Sequence, residues 1–200
     1  MQDKVKKGYN KIAKTYSKGR DKFNNDRYLE KLHGLMKPHS TILDIGCGSG
    51  KPVATFFTSR GHKVIGLDIS KEQVKLAKLN VPSGQFEIRD MSTLSKGEFS
   101  VDVVVSLYAI FHIPRELHLE MLKKINSFLP ESGLLLITMG SSDWEGSNKD
   151  FFGAEMYWSQ YGREKNSEIV KEAGFELLMD EVADIGGEQP QVMLGRKLLK

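Results

Sequence analysis

Between residues 41 and 50 a short apolar run, Thr41-Ile42-Leu43-Asp44-Ile45, leads into three glycines at alternate positions, Gly46, Gly48 and Gly50. A run of this length reads as a strand covered on both faces, and glycines at its end let the backbone turn sharply and approach a ligand closely. Strand and helix signals then alternate. Pro52 suits the first turn of a helix carrying Val53, Phe56 and Phe57, with Gly61 at its end, and His62 to Leu67 reads as a strand. Ser70 and Gln73 form a capping-box signature that opens a helix to about Leu79. Gln85 to Arg89 and Val101 to Ser106 read as strands. A helix opened by Pro114 places Leu117, Met121, Leu122, Ile125 and Phe128 on its apolar face, and the strand Leu134 to Met139 follows. Such alternation requires right-handed crossovers and a parallel sheet covered on both faces.

The tail departs from this rhythm. After a helix over Glu164 to Ala173, the strands Phe175 to Val182 and Gln191 to Leu199 are joined by a loop with Gly186, Gly187 and Pro190, which favours an antiparallel pair at one edge. The expected fold is α/β: doubly wound, with a mainly parallel seven-stranded sheet and an antiparallel edge pair. Ahead of the sheet, Val5, Tyr9, Ile12, Ala13 and Tyr16 share one face of an amphipathic helix, and a second helix runs over Arg27 to Met36.

Two hundred residues suit one domain. Within it, 1–40 reads as a helical lid, 41–139 as the ligand-binding core, 140–163 as an aromatic insertion and 164–200 as the final helix and edge strands. Cys47 is the sole cysteine, so neither an intrachain disulfide nor a cysteine-cluster zinc site can form, and the five His show no metal-ligand spacing. No metal is expected. The Lys-studded first twenty residues predict no secretory leader, and no run approaches the roughly 20 apolar residues of a membrane span, so a cytoplasmic protein is expected. Net charge is +3 but uneven: in residues 1–40 eleven Lys and Arg face four Asp and Glu, giving +7 and leaving −4 elsewhere. Such asymmetry marks either a nucleic-acid contact or a solvated helix surface, and the dispersal of the charges favours the second.

Ligands of open parallel sheets bind beyond the carboxyl ends of the strands, at the point where strand order reverses. A dinucleotide fingerprint needs G-x-G-x-x-G, but Lys51 holds the last position and the third glycine comes one residue early. Asp44, two residues before the first glycine, is poorly suited to a pyrophosphate and well suited to an ammonium group.

With L-D-I-G-C-G-S-G at 43–50, G-L-D-I-S at 66–70, R-D-M at 89–91 and V-D-V-V-V-S-L-Y-A-I-F-H-I at 101–113, the chain resembles the class I S-adenosylmethionine-dependent methyltransferases. The likeness is to their small-molecule branch, as in ubiquinone and menaquinone biosynthesis, and it implies a Rossmann-like fold with S-adenosylmethionine as cofactor. It further implies that Asp44 and the backbone of Gly46, Cys47 and Gly48 hold the methionine portion. Asp68 would accept from both ribose hydroxyls, Ile69 would pack on the adenine, and Asp90 with Met91 would read its edge. Ser106 and Leu107 would pass beside the sulfonium. In similar enzymes a Tyr-x-x-x-Ala-x-x-Tyr helix lids the cofactor, which nominates Tyr9 and Tyr16; Arg20, one turn on, would pair the methionine carboxylate. The alternative for the tyrosines is ordinary core packing.

A small-molecule methyl acceptor is the partner expected. His112, whose ordinary pKa lies near neutrality, is the candidate general base, with a merely hydrogen-bonding histidine as the alternative. Residues 144–161 hold six of the chain's 18 aromatic residues, including both tryptophans, and Tyr157 and Trp158 are the candidate acceptor-binding residues there. These aromatics read equally as a pocket or as the insertion's own small core. Ser106-Leu107-Tyr108-Ala109 lacks the Asn/Asp, double-proline and aromatic pattern of enzymes that methylate nucleic-acid bases. A noncatalytic S-adenosylmethionine-binding sensor or partner subunit, and an RNA methyltransferase using the basic N-terminus, remain the competing readings. Oligomeric state and acceptor atom are not legible.

Overall fold

The computed structural model describes residues 1–19 and 23–199. Seven strands, β1 (Thr41–Ile45), β2 (Lys63–Asp68), β3 (Gln85–Ile88), β4 (Val103–Ser106), β5 (Leu134–Met139), β8 (Phe175–Val182) and β9 (Gln191–Lys197), form one sheet in the order β3-β2-β1-β4-β5-β9-β8. The first five run parallel; β9 is antiparallel to β5 and to β8. The doubly wound sheet and its antiparallel edge pair are as expected. Strand order reverses at β1, between β2 and β4, so the switch point lies where Ile45 gives way to Gly46.

Alternation within the strands decides which side each residue serves. Ile42, Val64, Val103, Val105, Leu134 and Leu136 face α2 (Asp26–His33), α3 (Val53–Thr58) and α4 (Lys71–Asn80) in one core layer. Leu43, Val104, Leu135 and Ile137 face α5 (His118–Phe128) and α6 (Arg163–Glu172) in the other. Ser70 caps α4 through the Gln73 N–H at 3.2 Å, but the reciprocal half of the expected capping box does not form, because the Ser70 N–H donates to Asp68 Oδ1 and not to the Gln73 side chain.

Two expectations need correction. Pro114 opens a single 3-10 turn, Arg115–Leu117, rather than α5 itself, which follows directly at His118, and the Arg115 N–H, an orphan at any helix start, donates to Ser159 Oγ at 3.0 Å. Leu117 therefore lies off the apolar face and is 40% exposed, while Met121, Leu122, Ile125 and Phe128 are buried as expected. The last strand stops at Lys197, and Leu198 and Leu199 are exposed.

Outside the sheet stand α1 (Gln2–Gly19) and the hairpin of β6 (Trp144–Phe151) with β7 (Ala154–Gln160). Phe152 and Gly153 turn the hairpin with φ +53° and +89°, the pair of positive values a two-residue turn between twisted strands demands. Val5 and Ile12 of α1 pack on Ala154 and Met156 of β7, with Tyr9, Tyr16, Ile69, Phe151 and Trp158 around them. Lys4 pairs with Glu155 at 2.7 Å and Lys11 Nζ donates to the Gly153 carbonyl at 2.7 Å, so part of the basic face serves this docking. Helix and hairpin together cap the carboxyl ends of the strands.

Candidate functional site

At the switch point Gly46 adopts φ +80°, and a Cβ there would stand 2.3 Å from the Ala109 Cβ; only glycine fits. The turn is tied to the next strand by the N–H groups of Gly46 and Cys47, which donate to the Leu67 carbonyl at 2.8 and 3.0 Å. Gly48, at φ +52°, donates its N–H to Asp68 Oδ2 at 2.9 Å, and Ser70 donates to Asp68 Oδ1 at 2.8 Å. Each Asp68 oxygen retains a lone pair for a hydroxyl donor. Burial raises the Asp68 pKa to about 6, against the lowering effect of those two N–H bonds.

Asp44 is 2% exposed, and its Oδ2 has no hydrogen-bond partner. Burial first, and the nearby Asp68 carboxylate second, raise its pKa to about 8. A buried acceptor left unsatisfied is costly, so its retention beside a cleft points to a ligand with a cationic donor. Burial also pushes the Cys47 thiol well above its ordinary value, which makes it an inert wall.

Three recesses meet here. Asp68, Ile69, Asp90 and Met91 line the first, over the ends of β1 and β2; Asp44, Cys47 and Ser49 line the second, across the glycine turn. Tyr16, Gly46, Gly48, Leu107 and Tyr108 are common to both. Asp90 Oδ1 accepts from the Ser92 N–H and hydroxyl at 2.9 and 2.7 Å, so it caps a turn and borders the recess as well. The third recess, a cavity of about 440 Å³ beneath the hairpin, adjoins the first through Tyr9, Tyr16 and Tyr108.

Helix α1 closes the first two recesses from above. Ser17 Oγ donates to Ser49 Oγ at 3.0 Å, and Asn10 Oδ1 accepts from the Ser70 hydroxyl at 2.8 Å, so the helix rests on the glycine turn and on the start of α4. His112, 4% exposed, joins three elements. The Tyr157 carbonyl of β7, which can only accept, lies 2.8 Å from Nδ1 and fixes the proton there. Nε2 then accepts from the Tyr9 hydroxyl of α1, also at 2.8 Å. Burial lowers the His112 pKa to about 4, only partly offset by the bond to Tyr157, so the near-neutral value expected of it is corrected downward.

Some expected residues fall elsewhere. Ser106 is buried and donates to the Ile45 carbonyl at 3.0 Å, fastening β4 to β1 rather than lining a recess. The Tyr157 side chain reaches Glu145 at 2.9 Å, away from the cavity, and contributes its carbonyl to the site instead. Trp158 does line the cavity. Arg20 lies outside the described residues. Within the aromatic segment Phe151 and Trp158 pack on α1, in a core shared with that helix, and also line the cavity.

Two residues escaped the sequence reading. Tyr108 borders all three recesses and holds φ +57°, rare for a bulky residue, with its hydroxyl donating to Asn25 Oδ1 at 3.2 Å. Its position two residues past the end of β4 was the available signal. Gln73 is 1% exposed, faces the first recess, and leaves both side-chain polar atoms without partners. Its capping-box role accounted for its backbone and concealed its side chain.

Comparison with known proteins agrees with this geometry. Residues 42–133 match the family described as methyltransferase domain. The 27-O-demethylrifamycin SV methyltransferase of Amycolatopsis mediterranei is 33% identical over 100 residues, which cover 46% of this chain and 37% of that one. The chain spans about half or less of the length of the curated relatives it matches. Among solved structures, the 1,6-didemethyltoxoflavin N1-methyltransferase of Burkholderia thailandensis superposes with TM-score 0.72 at 19% identity, covering 96% of this chain and 85% of that one. The [4+2]-cyclase SpnF superposes at 0.76 with 15% identity, covering 100% and 98%. At such identities these likenesses speak for the fold alone.

Proposed function

We propose that the chain carries a class I S-adenosylmethionine-dependent methyltransferase domain and transfers the methyl group of that cofactor to a small-molecule acceptor. The observation that carries this reading is the meeting of two differently built recesses at Tyr9, Tyr16 and Tyr108: one bordered by the carboxylates Asp68 and Asp90 at the switch point and an aromatic one under the hairpin. A donor and an acceptor held there would face each other across three phenol rings. No helix among the described residues is long and apolar enough to cross a membrane, and two of the N-terminal lysines are engaged with the hairpin, which favours a small acceptor over RNA.

The residues fit the cofactor. The unpartnered Asp44 carboxylate would take the ammonium group, Asp68 the ribose hydroxyls, and Asp90, Met91 and Ile69 the adenine end. When bound, the cofactor supplies a methyl group on cationic sulfur, a leaving group that needs no help from an acid. The chain's own residues then position the acceptor, exclude water beneath α1 and the hairpin, and accept a proton from a neutral oxygen or nitrogen acceptor. His112 would act through Tyr9: the acceptor's proton passes to the Tyr9 oxygen as the Tyr9 proton passes to Nε2, while Nδ1–H stays on the Tyr157 carbonyl. The basic form of His112 is present above about pH 5, given its pKa of about 4.

Incubation of a metabolite extract with methyl-labelled cofactor, followed by mass spectrometry, tests the proposal. Labelled product that depends on the protein is expected. Tight cofactor binding with no label in any metabolite would favour a sensor, and label in RNA would overturn the small-molecule reading.

A further inference from the structure

Helix α1 holds six lysines and one acidic residue, Asp3, in its first turn. Along the chain these lysines are dispersed, but wound into a helix Lys4, Lys7, Lys11, Lys14 and Lys18 recur at alternating steps of 3 and 4 residues and so fall in one line. At a rise of about 1.5 Å per residue the line is roughly 21 Å long. All five are exposed, on the side away from Val5, Gly8, Ile12 and Ala13, which the helix buries. Lys4 and Lys11 reach the hairpin, at Glu155 and at the Gly153 carbonyl, both at 2.7 Å. Lys7, Lys14 and Lys18 make no side-chain ion pair or hydrogen bond among the described residues.

The same contacts set an apolar ring among these charges. Phe152, 41% exposed at the hairpin's turn, precedes the Gly153 whose carbonyl Lys11 holds. Its ring meets Tyr16 edge to face at 5.6 Å, and a Cβ on Gly19 would stand 2.5 Å from Phe152 Cε1, so the ring lies at the end of α1 next to Lys18. Together α1 and residues 149–155 hold seven Lys against Asp3, Asp150 and Glu155, and Glu155 is already paired with Lys4. An exposed aromatic ring flanked by ammonium groups fits the boundary between lipid headgroups and acyl chains. There the ring enters the apolar layer while the ammonium groups stay with anionic headgroups.

We infer that α1 and the hairpin turn form a docking face for an anionic lipid bilayer, held by the lysine line and anchored by Phe152. The make-up of the line favours lipid over RNA. Its cations are all Lys, compact hydrated charges suited to the diffuse field of a surface, whereas recognition of nucleic-acid phosphates draws on the planar fork of Arg. A straight line of charges on one helix also lies flat on a bilayer. The helix itself does not insert, because its apolar face is packed on Ala154 and Met156 of β7. Attachment is therefore shallow, salt-sensitive and reversible, and it sets the helix and hairpin that roof the site against the membrane.

Co-sedimentation of the full chain with phosphatidylcholine vesicles, with and without phosphatidylglycerol, tests this. Binding is expected only with the anionic lipid, and it should fall steeply between low and about 0.5 M salt. Each lysine near an anionic surface changes partitioning about fivefold, so Lys7→Gln, Lys14→Gln and Lys18→Gln combined should weaken it roughly a hundredfold. The same change at Lys37, Lys63 and Lys171, exposed residues that precede or begin strands at the far end of the sheet, should alter it by less than about threefold. The urea midpoint should be unchanged in both triple variants. Phe152→Asn, which tolerates the φ of +53°, should weaken binding roughly three- to eightfold, and Phe152→Trp should bind at least as well as the parent. Equal binding with and without phosphatidylglycerol, no binding to either vesicle, equal effects of the two lysine triples, or parental binding by Phe152→Asn would each overturn the inference. Tighter binding to double-stranded RNA than to anionic vesicles, lost with the same three lysines, would assign the face to nucleic acid and overturn it too.

Discussion

Replacing Asp44 with asparagine should make the empty protein more stable and the ligand-binding site worse. Asp44 is almost wholly buried, its Oδ2 lacks a partner, and its pKa stands at about 8 against an ordinary 3.8. Between those two values Asp44 holds more of its proton in the folded chain than in the unfolded one, so its own contribution to stability falls as pH rises from about 4 and levels off above about 8. At about 1.4 kcal/mol per unit, the three units between 3.8 and neutrality amount to about 4 kcal/mol of stability missing at pH 7. Asparagine carries no such term but buries an amide with unmet bonds, at about 1–2 kcal/mol, so a net gain of about 2–3 kcal/mol is expected at pH 7. Urea unfolding of both proteins at pH 5, 7 and 8 measures it, and the variant's advantage over the parent should grow across that range, since the opposing contributions of His112 and His118 are common to both and cancel. Calorimetry with S-adenosylhomocysteine, which retains the ammonium group, should show a loss of about 2–3 kcal/mol, roughly thirty- to a hundredfold in affinity. Parent affinity should also improve from pH 6 to 8, with a proton released on binding, because the bound ammonium favours the ionised carboxylate. An asparagine variant that is less stable throughout this range, or that binds with parental affinity, would refute the assignment of Asp44.

Asp68→Ala should weaken cofactor binding by about 2–3 kcal/mol through loss of charge-assisted hydrogen bonds, measured by calorimetry on the folded variant. Gln73→Leu should raise resistance to urea by about 1 kcal/mol or more, since it removes two buried unpartnered atoms, and should weaken cofactor binding in parallel; unchanged binding would reduce Gln73 to packing. His112→Ala should lower kcat by ~10² or more with cofactor affinity kept, and the parent's rate should be level between pH 6 and 8 because His112 titrates near 4; a rise in that range that vanishes with His112 would contradict the buried pair. Amide hydrogen exchange in α1 and in the β6–β7 hairpin should slow when cofactor is added, and equal protection with and without it would mark both as fixed core rather than lid.

The parallel strands and the helices between them were legible because each strand of the central sheet is a short apolar run bounded by helix signals, while the order of the strands came from the structure. Asp44, Gly46 and Gly48 were nominated from the glycine-rich turn after the first strand, and Asp68 and Asp90 through the resemblance to methyltransferase motifs; the structure places all five at or just beyond strand ends. The first turn after Pro114 winds as a 3-10 turn before α5 begins at His118, a difference that apolar spacing does not resolve. Periodicity could not show that the aromatic segment is a hairpin, since β6 is exposed along nearly all its length and carries no alternation to detect.

The sequence by itself determined the alternation of strand and helix, the glycine turn and the carboxylate ahead of it, because these depend on local pattern. Only the tertiary structure decided that Asp44 and Gln73 keep unpartnered polar atoms, that His112 is clasped between Tyr9 and the Tyr157 carbonyl, and that three aromatic elements enclose one cavity. Those features join residues far apart in the chain, Tyr9 and His112 by 103 positions, and burial sets their chemistry: it raises one carboxyl to about 8 and lowers one imidazole to about 4. No local pattern encodes the dielectric a side chain will meet, because that is fixed by what the rest of the chain packs around it.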